Sequence, residues 1–111
     1  MTTFTQYQKA ALRTANRGAW RSENDQLNNA ALGLSGEGGE VADIVKKFLY
    51  QGHDLEKDKL KDEAGDVLWY LALLADALGL TLEQIAERNI EKLEKRYPVA
   101  FAAELSRNRT E

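Results

Sequence analysis

Cysteine is absent from the chain. That excludes disulfides, thiolate zinc sites and cysteine nucleophiles. There is one proline, Pro98, so nothing upstream of it has to break a helix. The one histidine, His53, sits among charged residues in Q-G-H-D-L-E-K-D (51–58), which reads as a polar loop with an exposed imidazole. Alternating β-branched runs are missing, which argues against strands. Apolar runs long enough to span a bilayer are missing too. The net charge is −3, the pI is about 5.2 and no basic stripe stands out, so no nucleic-acid partner is expected. The first residues, M-T-T-F-T-Q-Y-Q, lack the basic-then-apolar layout of a signal peptide, and a cytoplasmic location is the expectation.

What remains is an ordinary soluble composition: 111 residues, 43% hydrophobic and 30% charged, the size of one domain over 1–111. So short a chain has a small core, and burial by self-association would help it. The pattern predicts an all-α bundle of four to five helices. Thr5 and Gln8 have capping-box spacing and would open a first helix running to Ala15 or Arg17, with Phe4, Tyr7, Ala11, Leu12 and Ala15 on its buried stripe. Asp25 would cap a second helix reaching about Tyr50. A third would run from about Lys59 to Leu78, with Gly79 as its stop. Thr81 and Gln84 form another capping box, opening a fourth helix that ends near Tyr97, before Pro98. The tail beyond Pro98 has room for a further short helix.

The second helix poses a problem at Leu34–Val45. Gly36, Gly38 and Gly39 surround Glu37 and Glu40, and each interior glycine costs a helix about 1 kcal/mol relative to alanine. At about 100° per residue, Val41, Ile44 and Phe48 fall within about 40° of Glu37, and Glu40 lies about 60° away. Glu37 therefore sits on the apolar stripe itself. The third helix repeats the layout: Val67, Tyr70 and Leu74 share the stripe of Glu63, and Asp66 lies about 60° to its side. Acids spaced i, i+3 on a helix usually form a solvated face, opposite the apolar stripe, as Lys46 does here. This phase is different. Four carboxylates turned inward repel one another and lose water, unless they hold protons or a cation sits between them. Oxygen donors without sulfur or a nearby histidine suit Mg²⁺, with Mn²⁺ as a substitute.

The glycines then divide. Gly33 and Gly36 flank the carboxylates, and their missing side chains would leave space for a ligand. Gly38 and Gly39 point elsewhere and would serve close helix packing. On the fourth helix Asn89, Lys92 and Arg96 share a stripe suited to phosphates, although Glu91 and Glu94 could pair with the cations and the helix C-terminus favours them anyway. Lys47, on the Glu40 side of its helix, is a lesser phosphate candidate. Trp20 has a ring that can stack on a base, but packing over a helix end is the commoner use. Trp69 is expected at a helix or subunit contact. Nothing singles out Asn28 or Asn29.

Three segments carry a resemblance: Gly33 to Lys47 (G-L-S-G-E-G-G-E-V-A-D-I-V-K-K), Asp62 to Leu80 (D-E-A-G-D-V-L-W-Y-L-A-L-L-A-D-A-L-G-L) and Asn89 to Tyr97 (N-I-E-K-L-E-K-R-Y). Over 32–97 the chain resembles the MazG-like nucleotide pyrophosphohydrolases of the all-α NTP pyrophosphatase superfamily. The resemblance implies a bundle completed by oligomerisation, a homodimer or homotetramer, with Glu37, Glu40, Glu63 and Asp66 binding Mg²⁺. It implies that Asn89, Lys92 and Arg96 hold phosphates, and that a partner's first helix can reach the base. It also implies hydrolysis of a nucleoside triphosphate to monophosphate and pyrophosphate, with Glu37 or Glu40 orienting or deprotonating the water. A di-iron carboxylate bundle would need two E-x-x-H pairs, which one histidine cannot supply. A nucleotide-binding protein without turnover, or a helical interaction module using the same acids, stays open as the alternative.

Overall fold

The computed structural model describes residues 1–99 and 103–108. Among these residues all regular structure is helical: α1 (Phe4–Leu12), a 3₁₀ turn (Arg17–Ala19), α2 (Glu23–Tyr50), α3 (Lys57–Ala77), α4 (Leu82–Arg96) and α5 (Ala103–Arg107). The all-α expectation holds, including the short helix after Pro98.

The long helices α2 and α3 pair antiparallel through the loop 51–56, where Gly52 turns the chain at φ 70°. The pairing runs in opposite sense along its length. Gln26 Nε2 donates to the Leu73 carbonyl and to Asp76, Gly33 meets Tyr70, and Glu37 meets Glu63. Small residues let the helices approach: Ala30, Ala72 and Ala75 are fully buried, with Leu73 among them. Burying one such leucine stabilises by about 1.5–3 kcal/mol. Leu12 from α1 and Leu82 from α4 close this core.

The α3 terminus is set by Gly79. Its φ of 71° is the left-handed region glycine tolerates, and Leu80 N–H donates to the Ala75 carbonyl while Gly79 N–H donates to Asp76, the two bonds of a Schellman stop. From there α4 leaves at 94° to α3 and packs on α1 and α3. Its capping box is the expected one: Thr81 Oγ1 accepts from Gln84 N–H, and Gln84 Oε1 accepts from Thr81 N–H. Among the described residues no single helix is long and apolar enough to cross a membrane.

The first helix departs from expectation. The sequence holds two overlapping T-x-x-Q patterns, and the box that forms is Thr3 with Gln6. Thr5 instead gives its N–H and hydroxyl to the Glu83 carboxylate. Gln8 is buried and ties three elements together: Nε2 donates to the Ala72 and Leu80 carbonyls, and Oε1 accepts from Leu82 N–H at the start of α4. Phe4 is 48% exposed, so it is not on the buried stripe. The helix stops at Leu12 because the Thr14 hydroxyl turns back to the Ala11 carbonyl and the chain passes into the 3₁₀ turn. Likewise α2 begins at Glu23, ahead of Asp25, whose carboxylate accepts from Arg21 N–H.

Candidate metal centre

The carboxylates meet midway along the α2–α3 pair. One oxygen each from Glu37, Glu63 and Asp66 lie within 4.8 Å of one another. Glu37 and Glu63 are partly buried, and Asp66 is exposed. The helical phase explains this: Glu37 sits on the face that α2 turns toward α3, and the acids of α3 come from the matching stripe. Proximity has an electrostatic consequence. The Glu63 carboxyl is pushed up from its ordinary value, chiefly by a hydrogen bond with the Glu37 carboxyl, then by lost hydration and the charges of Glu37 and Asp62.

Two clefts flank the cluster. One, about 390 Å³, is lined by Glu37 and Asp66 with Thr14, Trp69 and Tyr70. The other, about 320 Å³, is lined by Glu63 and Glu40 together with Lys47, His53 and Lys59. Glu40 is exposed and so stands at the edge of the trio, facing the second cleft. Lys47 reaches that cleft too, 2.9 Å from Asp43, while Lys46 is exposed and 3.4 Å from the same carboxylate. The Asp43 carboxyl is held below its ordinary value, first by the Lys47 hydrogen bond and then by that from Lys46.

Gly33 does not leave room for a ligand. The Tyr70 ring fills that space, and a Cβ on Gly33 would lie 2.1 Å from it. Tyr70 stands edge-on to Trp69 with centroids 5.0 Å apart, and Trp69 Nε1 donates to the Ala11 carbonyl and to Thr14, so the aromatic pair pins α1 beside the carboxylates. Gly36 is open, as expected. Gly38 and Gly39 have nothing within 4 Å, so no helix of the described chain packs closely on them. Tyr7 lies on α1, where the sequence places it on the buried stripe but not beside the acids; burial and then the Asp66 charge push its phenol up. The aromatic and threonine lining has no charge pattern, and only the helix pairing reveals it.

Asn89, Lys92 and Arg96 lie on α4, and none of them lines either carboxylate cleft. Lys92 lines a separate cleft with Arg88, Glu91 and Lys95. Trp20 packs against the core, with the Arg17 guanidinium 5.5 Å from its ring centroid, and its Nε1–H is buried without a hydrogen-bond acceptor among the described residues.

Similarity to known proteins extends over most of the chain. The chain is 40% identical over 74 residues to the Gene 37 protein of Mycobacterium phage L5, covering 63% of this chain and 65% of that protein. It is 43% identical over 74 residues to the YvdC protein of Bacillus subtilis (strain 168), covering 58% of this chain and 69% of that one. The chain thus spans about two thirds of the length of these curated relatives. No solved structure matches it. Residues 26–101, which include both acidic pairs and the α4 stripe, match the MazG nucleotide pyrophosphohydrolase domain, and the chain belongs to that family.

Proposed function

We propose that this chain, as a single domain over 1–111, is a divalent-metal-dependent pyrophosphohydrolase that converts a (deoxy)nucleoside triphosphate and water to the monophosphate and pyrophosphate. The observation that carries the reading is the meeting of Glu37, Glu63 and Asp66 within 4.8 Å. These residues fit Mg²⁺, or Mn²⁺ in its place: the donors are all hard oxygens, and Glu63, raised first by its hydrogen bond with Glu37 and then by lost hydration and that neighbour's charge, is crowded in a way a cation relieves. Bound there, the ion supplies charge neutralisation at the phosphate oxygens and a more acidic water.

The side chains do the rest. Glu37, Glu40, Glu63 and Asp66 would hold the ion, and one carboxylate, Glu37 or Glu40, would orient the attacking water or take its proton. Attack at the α-phosphorus breaks the α–β anhydride bond, and pyrophosphate leaves. Lys47 lines the Glu40 cleft on the same protomer. Asn89, Lys92 and Arg96 are assigned to the outgoing phosphates. Trp20 is not assigned to the base, because its ring is packed and covered by Arg17.

A homodimer or homotetramer belongs to this reading. A compact monomer of 12.5 kDa exposes roughly 6,200 Å², whereas this chain exposes 8489 Å². Part of the excess is apolar: Leu32 on α2 is 75% exposed and Ile90 on α4 is 54% exposed. A second copy would cover such surface and could bring the α4 stripe to a carboxylate cleft. A cytoplasmic location follows from the substrate, and no nucleic acid or membrane is assigned as partner.

The test is a panel of ribo- and deoxynucleoside triphosphates with Mg²⁺, followed by detection of pyrophosphate. The expected result is Mg²⁺-dependent pyrophosphate release that drops at least about a hundredfold in Glu63→Gln. Equal turnover by wild type and Glu40→Gln would remove Glu40 from the site. Orthophosphate release would place cleavage at another bond, and nucleotide binding with no product would leave a binding protein in place of an enzyme.

A further inference from the structure

The flank of α1 opposite the carboxylates holds a second concave surface. Relative to Tyr7, which feels the Asp66 charge, Lys9 and Arg13 project about 200° and 240° around the helix. With Arg17 they line a groove of about 570 Å³ whose floor includes Leu12 and Leu80. The overall charge of −3 and the scatter of these cations over a helix and a 3₁₀ turn hide this patch from a linear reading.

We infer that this groove is a second anion site, one that takes a short polyphosphate group without a metal ion. Four observations support it. First, among the described residues Lys9 and Arg13 have no carboxylate partner within ion-pair distance. Second, they stand one helical turn apart, with Cβ atoms about 5–6 Å from each other, so one chain of phosphates can engage both. Third, Arg17 is already ordered: it lies 3.3 Å from Asp76 and over the Trp20 ring, so little freedom is lost on binding. Fourth, the rest of the lining is uncharged apart from Asp76, so three cations face an anion there against one carboxylate.

The ends of the groove set the ligand's length. Asp76 borders it at the Arg17 end, and Thr5, on its wall, holds the Glu83 carboxylate. An extended nucleic-acid backbone would meet the Asp76 carboxylate in the lining and the Glu83 carboxylate beside Thr5. A di- or triphosphate would not. Free pyrophosphate and the tail of a nucleotide share this chemistry.

The test is calorimetric titration of the full chain with inorganic tripolyphosphate in EDTA, at low ionic strength where surface charge is least screened. Binding is expected in wild type and, within about twofold, in Glu37→Gln. It should weaken about tenfold in Arg13→Gln and vanish in Lys9→Glu/Arg13→Glu, with the fold of each variant checked by circular dichroism. Titration with a nucleoside triphosphate distinguishes the sources: tighter binding than tripolyphosphate points to a nucleotide, and equal binding to free polyphosphate. Absence of binding in EDTA, indifference to the charge changes, loss in Glu37→Gln, or preference for a single-stranded oligonucleotide would each overturn the inference. None of these results bears on turnover at the carboxylates, so the two readings fail separately.

Discussion

Gly33→Ala should destabilise the protein, although the same exchange in a free helix stabilises by about 1 kcal/mol. The new Cβ would lie 2.1–2.4 Å from three atoms of the Tyr70 ring. Carbon atoms normally approach to about 3.5–4.0 Å. The ring must therefore retreat by about 1.5 Å, and it is not free to do so. It stands at 84° to Trp69, whose Nε1 is held at 3.0 Å by both the Ala11 carbonyl and Thr14. Overpacking of this kind costs about 1–3 kcal/mol, and loosening the aromatic pair adds up to about 1 kcal/mol. Set against the helix gain, the net loss is about 1–2 kcal/mol. Urea unfolding would read it directly, and a melting temperature would fall by about 4–8 °C per kcal/mol. Gly36→Ala is the control, because nothing lies within 4 Å of that position, and it should gain up to about 1 kcal/mol. In a Tyr70→Ala background Gly33→Ala should turn neutral or stabilising. A Gly33→Ala protein as stable as Gly36→Ala would refute the argument.

Three further outcomes follow from other contacts. Gln8→Leu leaves Leu82 N–H and the Ala72 and Leu80 carbonyls without their partner, and should cost about 1–3 kcal/mol in urea unfolding. The bonds from Thr5 hold the Glu83 carboxyl below its ordinary value, so their contribution is present above the unfolded pKa and is lost as pH falls through the folded one. Melting curves taken from neutral to acid pH should therefore fall more steeply for wild type than for Glu83→Gln. In metal-free protein Glu63→Gln should raise the melting temperature by removing the charge that opposes Glu37, while Mg²⁺ should stabilise wild type and leave this variant nearly unchanged.

The elements were most legible where a local signal had no competitor. Thr81 with Gln84 and the Gly79 stop each had one reading, and both formed. Thr5 with Gln8 had a rival two residues earlier, and tertiary bonds chose between them: Gln8 is worth more under the α4 terminus than in a surface cap. No spacing rule contains that information, because Leu82 lies 74 residues away. The same holds for Gly33. Its partner is a tyrosine on another helix, so a single-helix wheel shows a vacancy where the fold has a ring.

The pairing of α2 with α3 explains both the acidic cluster and that missed contact. In an antiparallel hairpin, residues equally far from the loop face one another. About the turn near Gln51 and Gly52, Glu37 falls opposite Asp66, Glu40 opposite Glu63 and Gly33 opposite Tyr70. Glu37, Glu63 and Asp66 then converge, while Glu40, about 60° around α2 from Glu37, faces the second cleft with Glu63. Matching helical phases alone bring four acids to one interface; the register decides that three meet and one stands beside them. The glycine one turn before Glu37 is what lets that register close, because the opposite position holds a large ring that occupies the space of a Cβ. A shift of one residue along α3 would place Tyr70 against a side chain and Asp66 against Gly38 or Gly36, and the cluster would be lost. The residue without a side chain therefore positions the acids.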